Sequence, residues 1–455
     1  MDIEIEPKSF KQRIIRASIF SFGSHIINQA IRLGSNLIMT RLLIPEYFGL
    51  MAIANLFIFG LSMLSDMGLR QSLIQSKRFD EPFINTVWTI QVIRGCVIWL
   101  LSLLLGLILY SLNLFDFWPK DSVYRDALLP YVVATIGFNM IISGFESTKL
   151  AISSRQLSLG KNVSISLISQ ICGITMMILW ALVNKSVWAM VAGSLISSLV
   201  TTILSHTLFS GITNRFHWDK AAFDQIFHFG KWIFITSLLG FLLASSDRLI
   251  LGGLVDAGTL GLYAIAFLMV GSLKDLLGSV IHNVGFPAFS EAFRSHPESL
   301  KKIYYKFRLP FDVVSIFSAG LLYAMGDLLV ELLYDDRYAA AGWILQILAI
   351  SIFEIRYRLT GECFMAMGKP RLLTNLILFD LVIMYTLAYT AFQFYGFKGA
   401  VWAIATTAIV TIPLIFHYKS KYGLLDWKRE LMVLPLLPVG YGIGIILKQL
   451  FILIH

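Results

Sequence analysis

Apolar runs of roughly 20 residues recur along almost the whole chain, and short clusters of charged residues close each of them off. A run of that length, wound as a helix, crosses the hydrocarbon core of a bilayer. The runs predict spans at Ile14–Met39, Tyr47–Leu69, Phe83–Leu112, Leu128–Ser147, Val163–Leu182, Val187–Phe209, Ile226–Leu251, Leu260–Phe286, Pro310–Leu333, Ala339–Met367, Leu372–Tyr395, Ala400–Phe416 and Leu431–Ile454. The expected fold is therefore all-α and integral to a membrane, with about 13 transmembrane helices (12–14). No connection is long enough for a soluble domain. The longest on one side, Ser210–Ile226, mixes Trp218 and Phe223 with Asp219, Lys220 and Asp224. It reads either as a short interfacial helix or as a plain polar loop.

Composition agrees: 57% of the 455 residues are hydrophobic and 14% charged, against about 25% charged in a soluble domain. A net charge of +9 would suggest nucleic acid if it formed a patch, but Lys and Arg concentrate in alternate connections. Lys8, Lys77, Arg155, Lys220, Lys301, Arg308, Lys369, Lys419 and their neighbours fall on the N-terminal side, more than three times as many as Arg41, Lys120, Arg125, Lys185, Arg337, Lys398 and Lys448 opposite. Basic connections stay in the cytoplasm, so the N-terminus is expected inside and His455 outside. Cys96, Cys172 and Cys363 all fall within spans and form no disulfide framework or metal spacing. The first span has no small-residue cleavage site and reads as an uncleaved helix.

Offsetting the chain by 212 residues lays Gly49-Leu50-Met51-Ala52-Ile53-Ala54 on Gly261-Leu262-Tyr263-Ala264-Ile265-Ala266. An offset of six spans preserves orientation, which predicts two parallel six-helix lobes about an axis along the membrane normal. The lobes are expected at 1–209 and 226–418, with a linker at 210–225 and an extra helix in 419–455.

Ionisable residues inside spans cost about 2.5–3.5 kcal/mol each on insertion scales, so those present should face a bundle interior or a wet cavity. In the first span Ser21, His25, Asn28, Arg32 and Ser35 follow 4-3-4-3 spacing and share one stripe. Arg94, Arg248 and Lys274 lack a same-face partner on their own helix, and with Arg32 they are the candidate substrate-binding cations of a central cavity. His25, Asn28 and Ser35 are its candidate polar lining. Guanidinium forks match phosphate oxygens, which favours a diphosphate over a cationic drug. Glu146, Asp247, Asp275 and Asp380 are candidates for Na+ or H+ coupling. Glu354, Arg358 and Glu362, at i, i+4 and i+8, read as a structural ladder, and Arg356 points away from it without a partner. No catalytic residue, metal site, cofactor or ATP-binding loop is expected.

Arg41-Leu42-Leu43-Ile44-Pro45-Glu46-Tyr47-Phe48-Gly49-Leu50 resembles the opening signature of Wzx-type polysaccharide-transport flippases, in the multidrug/oligosaccharidyl-lipid/polysaccharide exporter superfamily. Ser65-Asp66-Met67-Gly68-Leu69, then Leu73-Ile74-Gln75, Gly285-Phe286-Pro287-Ala288-Phe289-Ser290 and Ala366-Met367-Gly368-Lys369-Pro370 are similar to later signatures of that family, in the same order. The resemblance covers about nine-tenths of the chain. It implies two lobes around a cationic cavity and alternating access. The cargo it implies is an undecaprenyl-diphosphate-linked oligosaccharide, flipped from the cytoplasmic to the periplasmic face of a bacterial inner membrane for O-antigen, capsule or exopolysaccharide synthesis. Membrane lipids, glycosyltransferases and a polymerase are the expected partners, and nucleic acid is not. Two alternatives stand beside this reading: a small-molecule exporter of the same superfamily, and a membrane glycosyltransferase or polymerase, which the short outer loops disfavour.

Overall fold

The computed structural model describes residues 10–65, 68–69, 73, 78, 80–155, 159–209, 211–295 and 297–454. Every expected span is met by helix, and no strand occurs among the described residues. The helices are α1 Phe10–Leu42, α2 Pro45–Leu64, α3 Glu81–Leu114, α4 Leu129–Ile136, α5 Asn139–Gly144, α6 Lys149–Arg155, α7 Leu159–Val183 and α8 Trp188–Thr207. They continue as α9 Lys220–Leu254, α10 Ala257–Val280, α11 Phe286–Ser295, α12 Leu300–Leu333, α13 Ala341–Ala349, α14 Ile355–Ala366, α15 Pro370–Lys421, α16 Trp427–Met432 and α17 Leu436–Ile454. Nine of these segments, among the described residues, are long and apolar enough to cross a membrane.

Where the helices depart from the hydropathy reading, the backbone gives the reason. The fourth span is broken at Gly137–Phe138, where Phe138 N donates to Thr135 O (3.1 Å) and Met140 N to Gly137 O (2.9 Å) in tight i→i−3 bonds. The tenth is broken by a 3-10 stretch at Ile350–Glu354, and the eighth ends in a π-turn at Ile281–Gly285. The ninth starts ten residues before Pro310, which the helix carries inside it. The last is two helices, α16 and α17. Within α15, Gly396 adopts φ 61°, a left-handed turn that splits the segment into two limbs where spans eleven and twelve were expected.

The chain forms two compact units, one ending at Leu43 and resuming with Leu50–Phe241, the other made of Ile44–Gly49 and Leu242–His455. In the first unit the stretch after α8 is not a separate interfacial helix: helix begins only at Lys220 and runs straight into the seventh span. Residues ahead of it are strapped along α3, where Asn85 Oδ1 accepts from Arg215 N (3.1 Å), Thr89 Oγ1 from His217 N (3.0 Å) and Thr86 Oγ1 from Asp219 N (3.0 Å). Asp219 caps α9 through Ala221 N (2.8 Å). Arg78 bonds both Asp219 and Asp80, and those bonds hold both carboxyls below their ordinary range.

In the second unit the start of α2 crosses the start of α10 backbone against backbone. A Cβ on Gly49 would lie 2.0 Å from Ala257 O, and one on Gly261 would lie 1.8 Å from Pro45 O. Pro45 precedes Gly49 by four residues and Ala257 precedes Gly261 by four, so the contact is reciprocal under the 212-residue offset, as in an isologous interface. Gly261→Ala must push a carbonyl aside. Overpacking costs about 1–3 kcal/mol when side chains can yield, and here none is available. We expect purified Gly261→Ala to melt well below the parent, while Gly442→Ala, which meets nothing within 4 Å, melts beside it. Equal melting of all three would refute the close crossing.

Candidate functional site

Four helices of the first unit line a cavity of about 480 Å³. From α1 come His25, Asn28, Gln29 and Arg32; from α7 come Asn162, Ile165, Ser166, Ser169 and Gln170; α8 adds Ser197 and Thr201, and α6 adds Leu150. Helical spacing explains the set. His25, Asn28, Gln29 and Arg32 lie within two turns on one flank of α1, and Asn162, Ser166, Ser169 and Gln170 repeat the pattern on α7. Among the described residues the lining holds one guanidinium, one imidazole, four amides and four hydroxyls, and no carboxylate.

Much of this polar surface is fixed but not saturated. Asn162 Nδ2 donates to Leu150 O and to Ser154 Oγ, both at 3.1 Å, and Gln170 Nε2 reaches Asn28 O at 3.4 Å. Thr201 Oγ1 donates to Ser197 O (3.0 Å). Five buried side-chain atoms here have no hydrogen-bond partner: His25 Nε2, Gln29 Nε2, Asn162 Oδ1, Ser169 Oγ and Gln170 Oε1. Unsatisfied buried polar atoms are uncommon in folded proteins and call for a partner.

Of the four cations expected to bind substrate, Arg32 lines this cavity. Arg94 belongs to the same unit but is fastened to the end of α2. Its Nη2 donates to Ser62 O (2.8 Å) and Ser62 Oγ (3.1 Å), and its Nε donates to Ser65 Oγ (3.1 Å). Arg248 and Lys274 belong to the second unit. Arg248 Nη2 donates to Ala244 O (3.0 Å), and the guanidinium lies 5.0 Å from the centre of the Phe267 ring. Lys274 Nζ pairs across helices with Glu354 (2.5 Å). Ser35 turns its hydroxyl back to Arg32 O (3.0 Å) rather than to the cavity, and the Ser21 side chain lies outside those described.

The acids sort as follows. Asp247 is buried and accepts from Tyr263 OH (2.6 Å), and Asp380, half-buried, accepts from Thr411. Asp275 is exposed, and Glu146 accepts from Gln91 Nε2 through its backbone carbonyl (3.0 Å). The expected ladder is only half formed. Arg358 approaches Glu354 at 3.8 Å, while Glu362 faces His282 (3.0 Å) instead.

Arg356 is a correction. It is not partnerless but sits in a fully buried cluster of the second unit with Arg308, Asp312, Lys419 and Glu430. Arg308 and Lys419 counted as cytoplasmic surface charge in the sequence, yet both are 0% exposed. Glu430 takes a bidentate pair from Arg308 (2.6 and 2.7 Å), a bond from Tyr305 OH (2.8 Å) and one from Lys419.

The profile of a family described as polysaccharide biosynthesis protein matches residues 38–342. The lipopolysaccharide biosynthesis protein WzxC of Escherichia coli (strain K12) is 22% identical over 97% of this chain and 89% of its own length. A putative O-antigen transporter of Shigella flexneri is 24% identical over 86% and 94%. Among solved structures, the lipid II flippase MurJ in an inward closed conformation aligns with TM-score 0.64 at 14% identity, over 96% of this chain and all of that one. An inward-facing multidrug resistance MATE family transporter of the MOP superfamily aligns with TM-score 0.59 at 13% identity, over 87% and 94%. At such identities the structural likeness establishes the fold.

Proposed function

The chain belongs to the polysaccharide biosynthesis protein family, as the match over residues 38–342 shows, and from that premise we propose that it flips an undecaprenyl-diphosphate-linked oligosaccharide across a bacterial inner membrane. It is a multi-pass membrane protein and acts as a transporter rather than an enzyme. Relatives named for lipopolysaccharide biosynthesis and O-antigen transport support the cargo class. The observation that carries the reading is the cavity of the first unit, where Arg32 stands among neutral amides and hydroxyls and, among the described residues, no carboxylate lines it. An arginine fork suits a diphosphate, and amides and hydroxyls suit a sugar. An exporter of cationic drugs needs a carboxylate at the site, and this lining offers none.

Movement runs from the cytoplasmic to the periplasmic face by alternating access, delivering cargo from glycosyltransferases to a polymerase. Cargo shifts such an equilibrium only through contacts that differ between the two states. For Na+ or H+ coupling, the support is the pair Asp247 and Asp380, each bonded to a hydroxyl within the second unit. The basic connections support a cytoplasmic N-terminus and an external His455. Reporter fusions at both ends read that orientation, and an alkaline phosphatase inactive at His455 overturns it.

The function is tested in proteoliposomes holding the purified chain and a fluorescent polyprenyl-diphospho-oligosaccharide, with a membrane-impermeant quencher added outside. Protein-dependent exchange of this lipid between leaflets, without exchange of a fluorescent phosphatidylcholine, is the expected result. Equal movement of both lipids, or movement of ethidium alone, overturns the reading.

A further inference from the structure

We propose that the cavity of the first unit is a saccharide-reading subsite, in which Gln29, Asn162, Ser169 and Gln170 select the hydroxyl-bearing ring that adjoins the diphosphate. This rests on the transport reading above and adds the group that each part of the cavity recognises. Asn162 spends its NH₂ on Leu150 O and Ser154 Oγ, and Gln170 turns its NH₂ to Asn28 O. Both amides therefore leave a carbonyl oxygen, and neither Oδ1 nor Oε1 has a partner. These two atoms require donors. Gln29 Nε2 is also unpartnered and requires an acceptor, while Ser169 Oγ, on a residue only 2% exposed, can play either part.

Each class of occupant meets that demand differently. A diphosphate at neutral pH offers acceptors only, so it suits Arg32 and Gln29 but leaves Asn162 Oδ1 and Gln170 Oε1 unpaired. A prenyl chain pairs with none of them. An organic cation brings donors to a lining that, among the described residues, has no anion. A pyranose carries hydroxyls that donate and accept through one atom, spaced around a rigid ring, and can meet both kinds of demand at once. The volume of about 480 Å³ falls within the roughly 300–1,000 Å³ of small-molecule sites. Buried polar atoms left unpaired by the wrong ligand are what give a hydrogen-bonding site its selectivity.

The test is binding to the purified full-length chain of two probes, a short-chain polyprenyl diphosphate and the same lipid carrying one glucose. The parent is expected to bind the glucosylated probe about tenfold more tightly. In Ser169→Ala/Gln170→Leu that increment disappears, while affinity for the bare diphosphate stays within about twofold. Gln170→Met, which keeps the side chain's length, serves if the double variant does not fold, and is expected to lose most of the increment. A parent that binds both probes equally, or a variant that keeps the increment, overturns the subsite and leaves the transport reading in place. Failure of the parent to bind either probe overturns both.

Discussion

Glu430→Gln is expected to leave little folded protein in the membrane and to lower the melting temperature of what remains by roughly 10 °C or more. The substitution keeps the shape of the side chain and removes its charge. Glu430 is 2% exposed and receives Arg308, Arg356, Lys419 and Tyr305. Without it, three buried cations face Asp312 alone, and the new amide presents its NH₂ to groups that are themselves donors. Removing one partner from a buried ionic network costs about 3–5 kcal/mol, a large part of the roughly 5–15 kcal/mol that typically holds a domain folded. Glu430→Asp keeps the charge but shortens the reach, and an intermediate loss is expected. Yield and thermal unfolding in detergent measure both variants. A Glu430→Gln protein that melts within about 2 °C of the parent would show that the cluster does not bear on stability.

Arg32→Ala is expected to abolish surface polysaccharide export while leaving normal amounts of folded protein. Arg32 is on the exposed side of α1 and lines a cavity, so truncation removes little packing. In the proposed function it removes two charge-assisted bonds to the diphosphate, each worth about 1.5–3 kcal/mol, or between two and four decades of affinity together. Arg32→Lys retains a point charge without the planar fork and should export partially. Complementation of a strain lacking its flippase reads the result, with membrane abundance measured alongside. Full export by a folded Arg32→Ala protein would remove Arg32 from the cargo site.

Helix meets each hydropathy span among the described residues, because suitability for lipid is a property of composition over about 20 residues. It missed the breaks at Gly137–Phe138 and Ile350–Glu354 because a 3-10 turn changes the backbone without changing apolarity. Spacing along single helices does not find the partners of ionised groups in spans. Lys274 finds Glu354 on another element, and Arg308 finds Glu430 across 122 residues; no local spacing encodes either pair. Counting basic residues cannot separate a solvated lysine from Lys419, which is wholly buried. In the cavity the sequence offered more than was taken from it. Asn162, Ser166, Ser169 and Gln170 stand at helical spacing on an apolar span, as legible as the stripe on α1, but neutral amides carry no insertion penalty large enough to draw notice beside arginine. Gln29 was passed over in the same way.

The buried cluster also fixes an order of assembly. Arg308, Asp312, Arg356 and Lys419 all leave the ribosome before Glu430, and the 122 residues between Arg308 and Glu430 take on the order of ten seconds to synthesise. Arg308 meets Asp312 at once, Arg356 joins them 48 residues later, and Lys419 comes only 11 residues ahead of Glu430, so cations accumulate around one acid as the second unit is made. The cluster is expected to become neutral only when α16 delivers the Glu430 carboxylate. A chain interrupted ahead of Asp426 lacks that carboxylate and is expected to accumulate less than the full chain, with Arg308, Arg356 and Lys419 left to Asp312.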